Sequence, residues 1–230
     1  GLIVTGNVGG LWIEWHYRLG QFVMGLLLFR LLWGVLGGHW SRFVHFVRGP
    51  LTIWRYWRGQ TPPAVGHNPL GAWSVILFLL LLSIQVVTGL LSDDEIAFTG
   101  PLVSLVSSEA VGLASSYHKS VGKFIVLALV VLHLLAIGYY RFAKKEDLVR
   151  PMIGGDKQVL TAVTSARDSA QSRLLALGVL CLCALAVYGL VGLVFDIAVL
   201  VYAWGPRDLD LDVVARAPAH RHPGVGGDEM

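Results

Sequence analysis

Two histidines stand at the ends of one apolar stretch, HKSVGKFIVLALVVLH, which runs from His118 to His133. On an α-helix, their spacing of 15 residues corresponds to about 22 Å along the helix axis. At roughly 100° per residue the angular offset is about 60°, so both side chains point to about the same side. This spacing suits two planar cofactors at different depths, each taking one axial ligand from the same helix.

A third histidine repeats the local pattern of the first. His16 in HYRLG is followed four residues later by Gly20, and His118 in HKSVG is followed four residues later by Gly122. Residues four apart share a helix face, and a glycine lets a flat ring approach the backbone closely. Because haem iron accepts histidine nitrogen as an axial ligand, the pattern favours a haem b held by His16 and His118. The alternative is that each histidine only hydrogen-bonds to a neighbouring helix.

These residues belong to a chain that is too apolar for a water-soluble surface. Of its 230 residues, 55% are hydrophobic and 14% are charged, and its mean hydropathy is +0.64. Four apolar runs are long enough to cross a hydrocarbon core, which takes about 20 helical residues. We expect spans at about 17–38, 70–92, 121–140 and 173–203, forming one transmembrane domain over 1–203. The predicted fold class is all-α integral membrane, followed by a flexible periplasmic tail at 204–230.

The charges of the loops orient the predicted spans. Segment 39–69 carries four arginines and no acid, whereas segment 93–118 carries four acids and no Lys or Arg. Positively charged loops favour the cytoplasmic side of a membrane. His16 and His118 would therefore lie near the outer surface of the membrane. His133 would lie towards the inner third.

A second ligand for His133 is not obvious in the predicted spans. His67, in GHNPLG, lies at about the right depth. Pro69 marks a helix start, however, so His67 or Asn68 could instead cap or anchor that helix. The opening GLIVTGNVGG begins without Met and reads like the tail of an apolar span. We therefore expect the second ligand of His133 to come from an upstream helix that this sequence lacks.

Arg30 is the other charge inside a predicted span. It follows His16 by 14 residues, which returns it to nearly the same helix face about 21 Å deeper. Two interpretations stay open: charge-assisted bonds to haem propionates, or snorkelling to the inner headgroups. The loop that follows, RFVHFVRGPLTIWRYWRGQ, mixes Arg with aromatic residues. This composition is typical of a membrane-surface anchor. We therefore expect its partner to be membrane lipid and not nucleic acid.

Five stretches within about residues 5–153 resemble the bacterial cytochrome b561 family, which includes the b-type cytochrome subunits of nickel–iron hydrogenases. They are FRLLWGVLGGHWSRFVHFVRGP, GHNPLGAW, TGLLSDDEIAFTGPL, HKSVGKFIVLALVVLH and YYRFAKKEDLVRPMI. The resemblance implies a four-helix haem-binding bundle with two haems b, whose axial histidines come from the first, second and fourth core helices.

Under this resemblance, His16 matches the ligand of the second core helix, and His118 and His133 match the pair on the fourth. The first core helix would be absent from this sequence, with TGNVGG resembling its end, and the span from 173 would be an extra C-terminal helix. The family's spacing between the fourth-helix ligands is commonly one residue shorter. Either a local bulge or a loose alignment at one end explains the difference.

The predicted function is that of a membrane di-haem cytochrome b. It would pass electrons between quinone and a periplasmic redox protein, either a hydrogenase, a c-type cytochrome or another dehydrogenase. Such a chain is an electron-transfer subunit of a respiratory oxidoreductase rather than a stand-alone enzyme. Two alternatives are a histidine-lined ion or metal transporter and a passive membrane anchor of a dehydrogenase. The sequence offers no nucleophile triad, phosphate-binding loop or cysteine metal motif, so hydrolysis and group transfer have little support.

Overall fold

The computed structural model is helical, with no strand in the part of the chain that it describes. It describes residues 1–60, 66–95, 98–155, 163, 165 and 168–204, with side chains up to 193. Four helical stretches in these ranges are long and apolar enough to cross a membrane: Trp12–Leu36, Pro69–Leu90, Ser108–Phe142 and Ala170–Leu193. The predicted all-α membrane fold is therefore confirmed. The predicted tail at 204–230, apart from its first residue, lies outside the described residues.

The described helices are numbered here in chain order. They are α1 (Leu2–Val8), α2 (Trp12–Leu36), α3 (Phe43–Phe46), α4 (Pro50–Trp57), α5 (Pro69–Leu90), α6 (Ser108–Ser116), α7 (Lys123–Phe142), α8 (Val149–Gly154) and α9 (Ala170–Trp204). A 3₁₀-helix covers Val103–Leu105, and a π-helix covers Tyr117–Gly122 between α6 and α7.

The helix bounds differ from the predicted spans, most clearly at the start of α2. The predicted span starts at about residue 17, whereas α2 begins at Trp12 and includes Glu14 in its first turn. The prediction followed the apolar run alone, whereas a helix continues into its polar flank, where an acid suits the positive helix N-terminus. His16 therefore lies inside α2, four residues after its first residue, Trp12. The third span likewise extends beyond the predicted 121–140 to Ser108–Phe142.

Helix α2 is the central element of the bundle. It contacts α1, α5 and α9, and α5 in turn contacts the π-helix and α7. A small core of Met24, Leu90 and Val187 joins α2, α5 and α9. Many large apolar side chains on the outer faces are exposed, which suits helices whose surroundings are hydrocarbon rather than water.

The start of α5 has the cap that the sequence suggested. Asn68 Oδ1 accepts a hydrogen bond from the backbone N–H of Gly71 at 2.7 Å, and Pro69 stands at the first helical position. Asn68 Nδ2 also donates to Tyr140 Oη at 2.9 Å, which ties the start of α5 to α7. Of the two predicted caps Asn68 is the residue used, since the ring of His67 stacks on Phe46 instead.

The π-helix explains the spacing of the two histidines on the third span. It includes His118 and joins α6 to α7 without a break in helical structure. A π-turn takes about one residue more than an α-turn. The 15 residues from His118 to His133 therefore advance like about 14 residues of regular α-helix. Of the two explanations for the longer spacing, the π-helix favours the local bulge.

Candidate functional site

His16 and His118 come together at one end of the bundle. Their rings lie edge to face, with centroids 5.9 Å apart and an interplanar angle of 86°. His16 comes from α2 and His118 from the π-helix, and both side chains are partly buried. The structure thus brings together the two histidines that the sequence predicted as a pair.

Helix α1 fixes the orientation of His16. Its Nδ1 lies 2.9 Å from the carbonyl oxygen of Leu2 and 3.4 Å from Thr5 Oγ1. A carbonyl oxygen only accepts hydrogen bonds, so Nδ1 carries the proton and donates it. In the neutral ring the other nitrogen, Nε2, then keeps a free lone pair.

Helix α5 fixes the orientation of His118 in the same way. Its Nδ1 lies 2.9 Å from the backbone oxygen of Gln85. The same donor rule places the proton on Nδ1 and the lone pair on Nε2. Histidines that bind metals typically donate their second ring N–H to a carbonyl or carboxylate, which fixes the tautomer and the ring orientation. Both histidines have this arrangement.

Each of these rings packs against a glycine that the sequence analysis did not single out. A Cβ atom on Gly6 of α1 would lie 2.9 Å from Cε1 of His16, and one on Gly89 of α5 would lie 2.8 Å from Cε1 of His118. Each ring therefore packs against bare backbone of the neighbouring helix. Gly89 follows Gln85 by four residues, so the two residues lie on the same face of α5. The polar Gln85 within an apolar span was the signal that could have indicated this face.

The two glycines that were predicted have different surroundings. A Cβ atom on Gly20 would meet nothing within 4 Å, so this face of α2 is open. Gly122 is buried, and the space beside it holds the side chains of Gln85 and Tyr117. The predicted reason for Gly122, room for a flat ring, does not describe this packing. A cofactor contact at either glycine remains a prediction.

The predicted residues of the inner side do not form one cluster. The ring of His133 lies edge to face with Phe78 of α5, with centroids 5.3 Å apart. The ring of His67 stacks on Phe46 instead, with centroids 4.9 Å apart. The described residues give His133 no histidine partner.

Arg30 turns towards the loop that follows its own helix. Its Nη1 donates to the backbone oxygen of Ser41 at 3.2 Å, and its guanidinium lies 4.9 Å from the ring centroid of Phe43. A long basic side chain that reaches past the end of its helix to polar backbone is the geometry of snorkelling. Of the two open interpretations of Arg30, this contact favours snorkelling.

The pair of His16 and His118 offers a donor set that suits a haem iron, because Nδ1 of each ring is held by a backbone carbonyl and Nε2 is left for a metal. No hydrogen bond to either Nε2 is found within the described ranges. No group of three or more His, Cys, Asp or Glu suited to a metal ion occurs there either, but haem iron needs only axial ligands from the protein.

Comparisons with known proteins identify the family of the chain. The family described as prokaryotic cytochrome b561 matches residues 2–155. The chain is also similar to the probable Ni/Fe-hydrogenase B-type cytochrome subunit of Bradyrhizobium diazoefficiens, with 22% identity over 176 aligned residues. That alignment covers 62% of this chain and 65% of the relative, so the chain spans just under two thirds of the relative's length. No solved structure matches. Since the family match covers well over half of its residues, this chain belongs to the prokaryotic cytochrome b561 family.

Proposed function

We propose that this chain is a membrane cytochrome b in which His16 and His118 hold one haem b near the outer membrane surface. Haem supplies a one-electron redox couple whose potential depends on its axial ligands and surroundings. The chain's own residues hold the group, orient its ligands and keep the site in apolar surroundings.

The observation that carries the proposal is the matched pair of Nδ1 hydrogen bonds. Nδ1 of His16 donates to the backbone oxygen of Leu2, and Nδ1 of His118 donates to the backbone oxygen of Gln85, both at 2.9 Å. Such a bond would also satisfy a histidine that merely packs against a neighbouring helix, so the support lies in the combination of the two rings. Their centroids are 5.9 Å apart, and among the described residues neither Nε2 has a hydrogen bond.

A second haem b on the inner side would take His133 as one axial ligand, at the edge-to-face contact with Phe78. Its other ligand would come from outside the described residues, as the resemblance to the family implies.

Electrons would pass between the haems, a periplasmic redox partner and the quinone pool of a bacterial inner membrane. The similarity to a probable Ni/Fe-hydrogenase B-type cytochrome subunit favours a hydrogenase as that partner. The membrane setting is supported by four helical stretches of sufficient length and hydropathy in the described part.

The test is a reduced-minus-oxidised absorption spectrum of the full chain, purified from haem-replete cells. We expect b-type absorption in the natural chain and a loss of the outer haem in His16→Leu and His118→Leu. His39→Leu is the matched control, because His39 stacks on His45 outside the site, and it should keep the full spectrum.

The same variants separate the proposal from its alternatives. A folded natural chain without b-type absorption would contradict the proposal and favour a transporter. A natural chain that binds haem, and a His118→Leu variant that loses it while electron flow to quinone is unchanged, would indicate a passive anchor.

A further inference from the structure

Gln85 of α5 contacts His118 through two hydrogen bonds that run in opposite directions. The side-chain Nε2 of Gln85 donates to the backbone oxygen of His118 at 2.9 Å. Nδ1 of His118 donates to the backbone oxygen of Gln85, also at 2.9 Å. One residue of a neighbouring helix therefore holds both the ring and the peptide group of the same histidine.

The peptide group that Gln85 holds lies in an unusual segment. His118 is inside the π-helix Tyr117–Gly122, and π-turns are rare and occur frequently at functional sites. A π-turn displaces the residues around it relative to a regular helix, so the direction of the His118 side chain depends on where that turn sits. The bond from Gln85 Nε2 fixes the turn from outside the helix.

The second polar atom of the Gln85 side chain explains Gly122. Oε1 of Gln85 is buried, and among the described residues it is the buried side-chain atom that has no hydrogen-bond partner. It lies where a Cβ atom on residue 122 would be, so any side chain there would overlap it. Because Nε2 must face the carbonyl of His118, the amide cannot rotate away without losing that bond. Gly122 is therefore required by Gln85.

We infer that Gln85 and Gly122 are positioning residues, which set the π-turn and through it the direction of His118 as a haem ligand. This inference deepens the proposed function and rests on it. It also gives the pattern HKSVG a physical reason that differs from room for a macrocycle: the glycine accommodates the glutamine that orients the histidine.

The first test measures how fast the full chain loses haem to an excess of apomyoglobin. Loss of a residue that orients a metal ligand typically costs about 10–100-fold in affinity. Gln85→Met keeps the side-chain length but removes the donor, so we expect haem loss at least about tenfold faster. Gly122→Ala should act in the same direction, because a methyl group displaces the Gln85 amide.

Ser83→Ala is the matched control, since Ser83 lies two residues before Gln85 on α5 and so points to nearly the opposite face. It should lose haem at the natural rate. Equal rates in the natural chain, Gln85→Met and Ser83→Ala would overturn the inference and leave the proposed function intact. A natural chain that binds no haem would instead overturn the proposed function itself.

A second test separates positioning from general stability through a pH profile. In Gln85→Glu, a protonated carboxyl can donate to the carbonyl of His118, whereas an ionised one repels it. We expect this variant to lose haem at nearly the natural rate at low pH and at the rate of Gln85→Met at high pH. The midpoint potential should follow the same profile. A Gln85→Glu variant whose haem loss and potential match those of Gln85→Met at every pH would contradict the inference.

Discussion

The rings of His16 and His118 lie edge to face with 5.9 Å between their centroids, and each donates its Nδ1 proton to a backbone carbonyl of another helix. A backbone carbonyl does not titrate. The tautomer of both rings is therefore set by the fold and is independent of any nearby acid. This relationship depends on close contacts of α1 with α2 and of α5 with the π-helix.

The first prediction concerns Gly89, where a Cβ atom would lie 2.8 Å from Cε1 of His118. Gly89→Ala should push the ring out of its place and reduce the haem content per chain. Gly178→Ala on α9 is the control, because a Cβ atom there meets nothing within 4 Å. Haem content is measured spectroscopically against protein concentration. Equal haem content in both variants would show that the packing of His118 against Gly89 is not needed for haem binding.

The second prediction concerns α1, which supplies both hydrogen-bond partners of His16 Nδ1. Removing residues 1–8 should weaken haem binding at His16 by about 10–100-fold, the usual cost of losing the groups that orient a metal ligand. Thr5→Val is the milder comparison, since it removes one hydroxyl and leaves the carbonyl of Leu2. Haem titration of the apoprotein gives both affinities, and a shortened chain that binds haem normally would contradict the prediction.

The third prediction concerns the cap of α5. Asn68→Ala removes the acceptor for the N–H of Gly71 and the donor to Tyr140, and losing a helix N-cap typically costs about 1 kcal/mol. Asn68→Asp keeps the cap acceptor and loses only the donor. Thermal unfolding in detergent should therefore show a lower Tm for Asn68→Ala than for Asn68→Asp, and the reverse order would refute the assignment.

Sequence patterns predicted four apolar spans and the pairing of His16 with His118, because hydropathy and residue spacing determine both; a local bulge was one of two explanations that the family resemblance left open. They did not reveal Gln85 or Gly89. The contacts of these two residues depend on the rotation of α5 against the π-helix, which no local pattern specifies. The predicted span at about 17–38 starts later than α2 for a related reason, since hydropathy marks where a chain turns apolar rather than where its first helical turn forms.

The fourth prediction is a pH dependence of stability at His67. Desolvation of the ring against Phe46 and the positive charge of Arg30 lower the pKa of His67. The unfolded chain then binds the proton more readily than the folded chain does. The contribution of the neutral His67 to stability is fully present above the ordinary histidine pKa of about 6.5. It is lost as the pH falls towards and through the lower pKa of the folded chain.

His67→Gln should remove this dependence. Between pH 7, about half a unit above the ordinary histidine pKa, and pH 5, about one and a half units below it, the Tm of the natural chain should fall further than that of His67→Gln. His39→Gln is the control for the general effect of acid. A larger fall in His67→Gln than in the natural chain would show that the sign is wrong.

The most direct measurement is electron paramagnetic resonance of the oxidised full chain, compared with His118→Gly with and without added imidazole. If His16 and His118 are the axial pair, the natural chain gives a low-spin ferric signal, and His118→Gly gives a high-spin signal. Added imidazole, which can occupy the space left by the missing side chain, restores the low-spin signal. A His118→Gly variant that keeps the natural low-spin signal without imidazole would contradict the assignment of this pair.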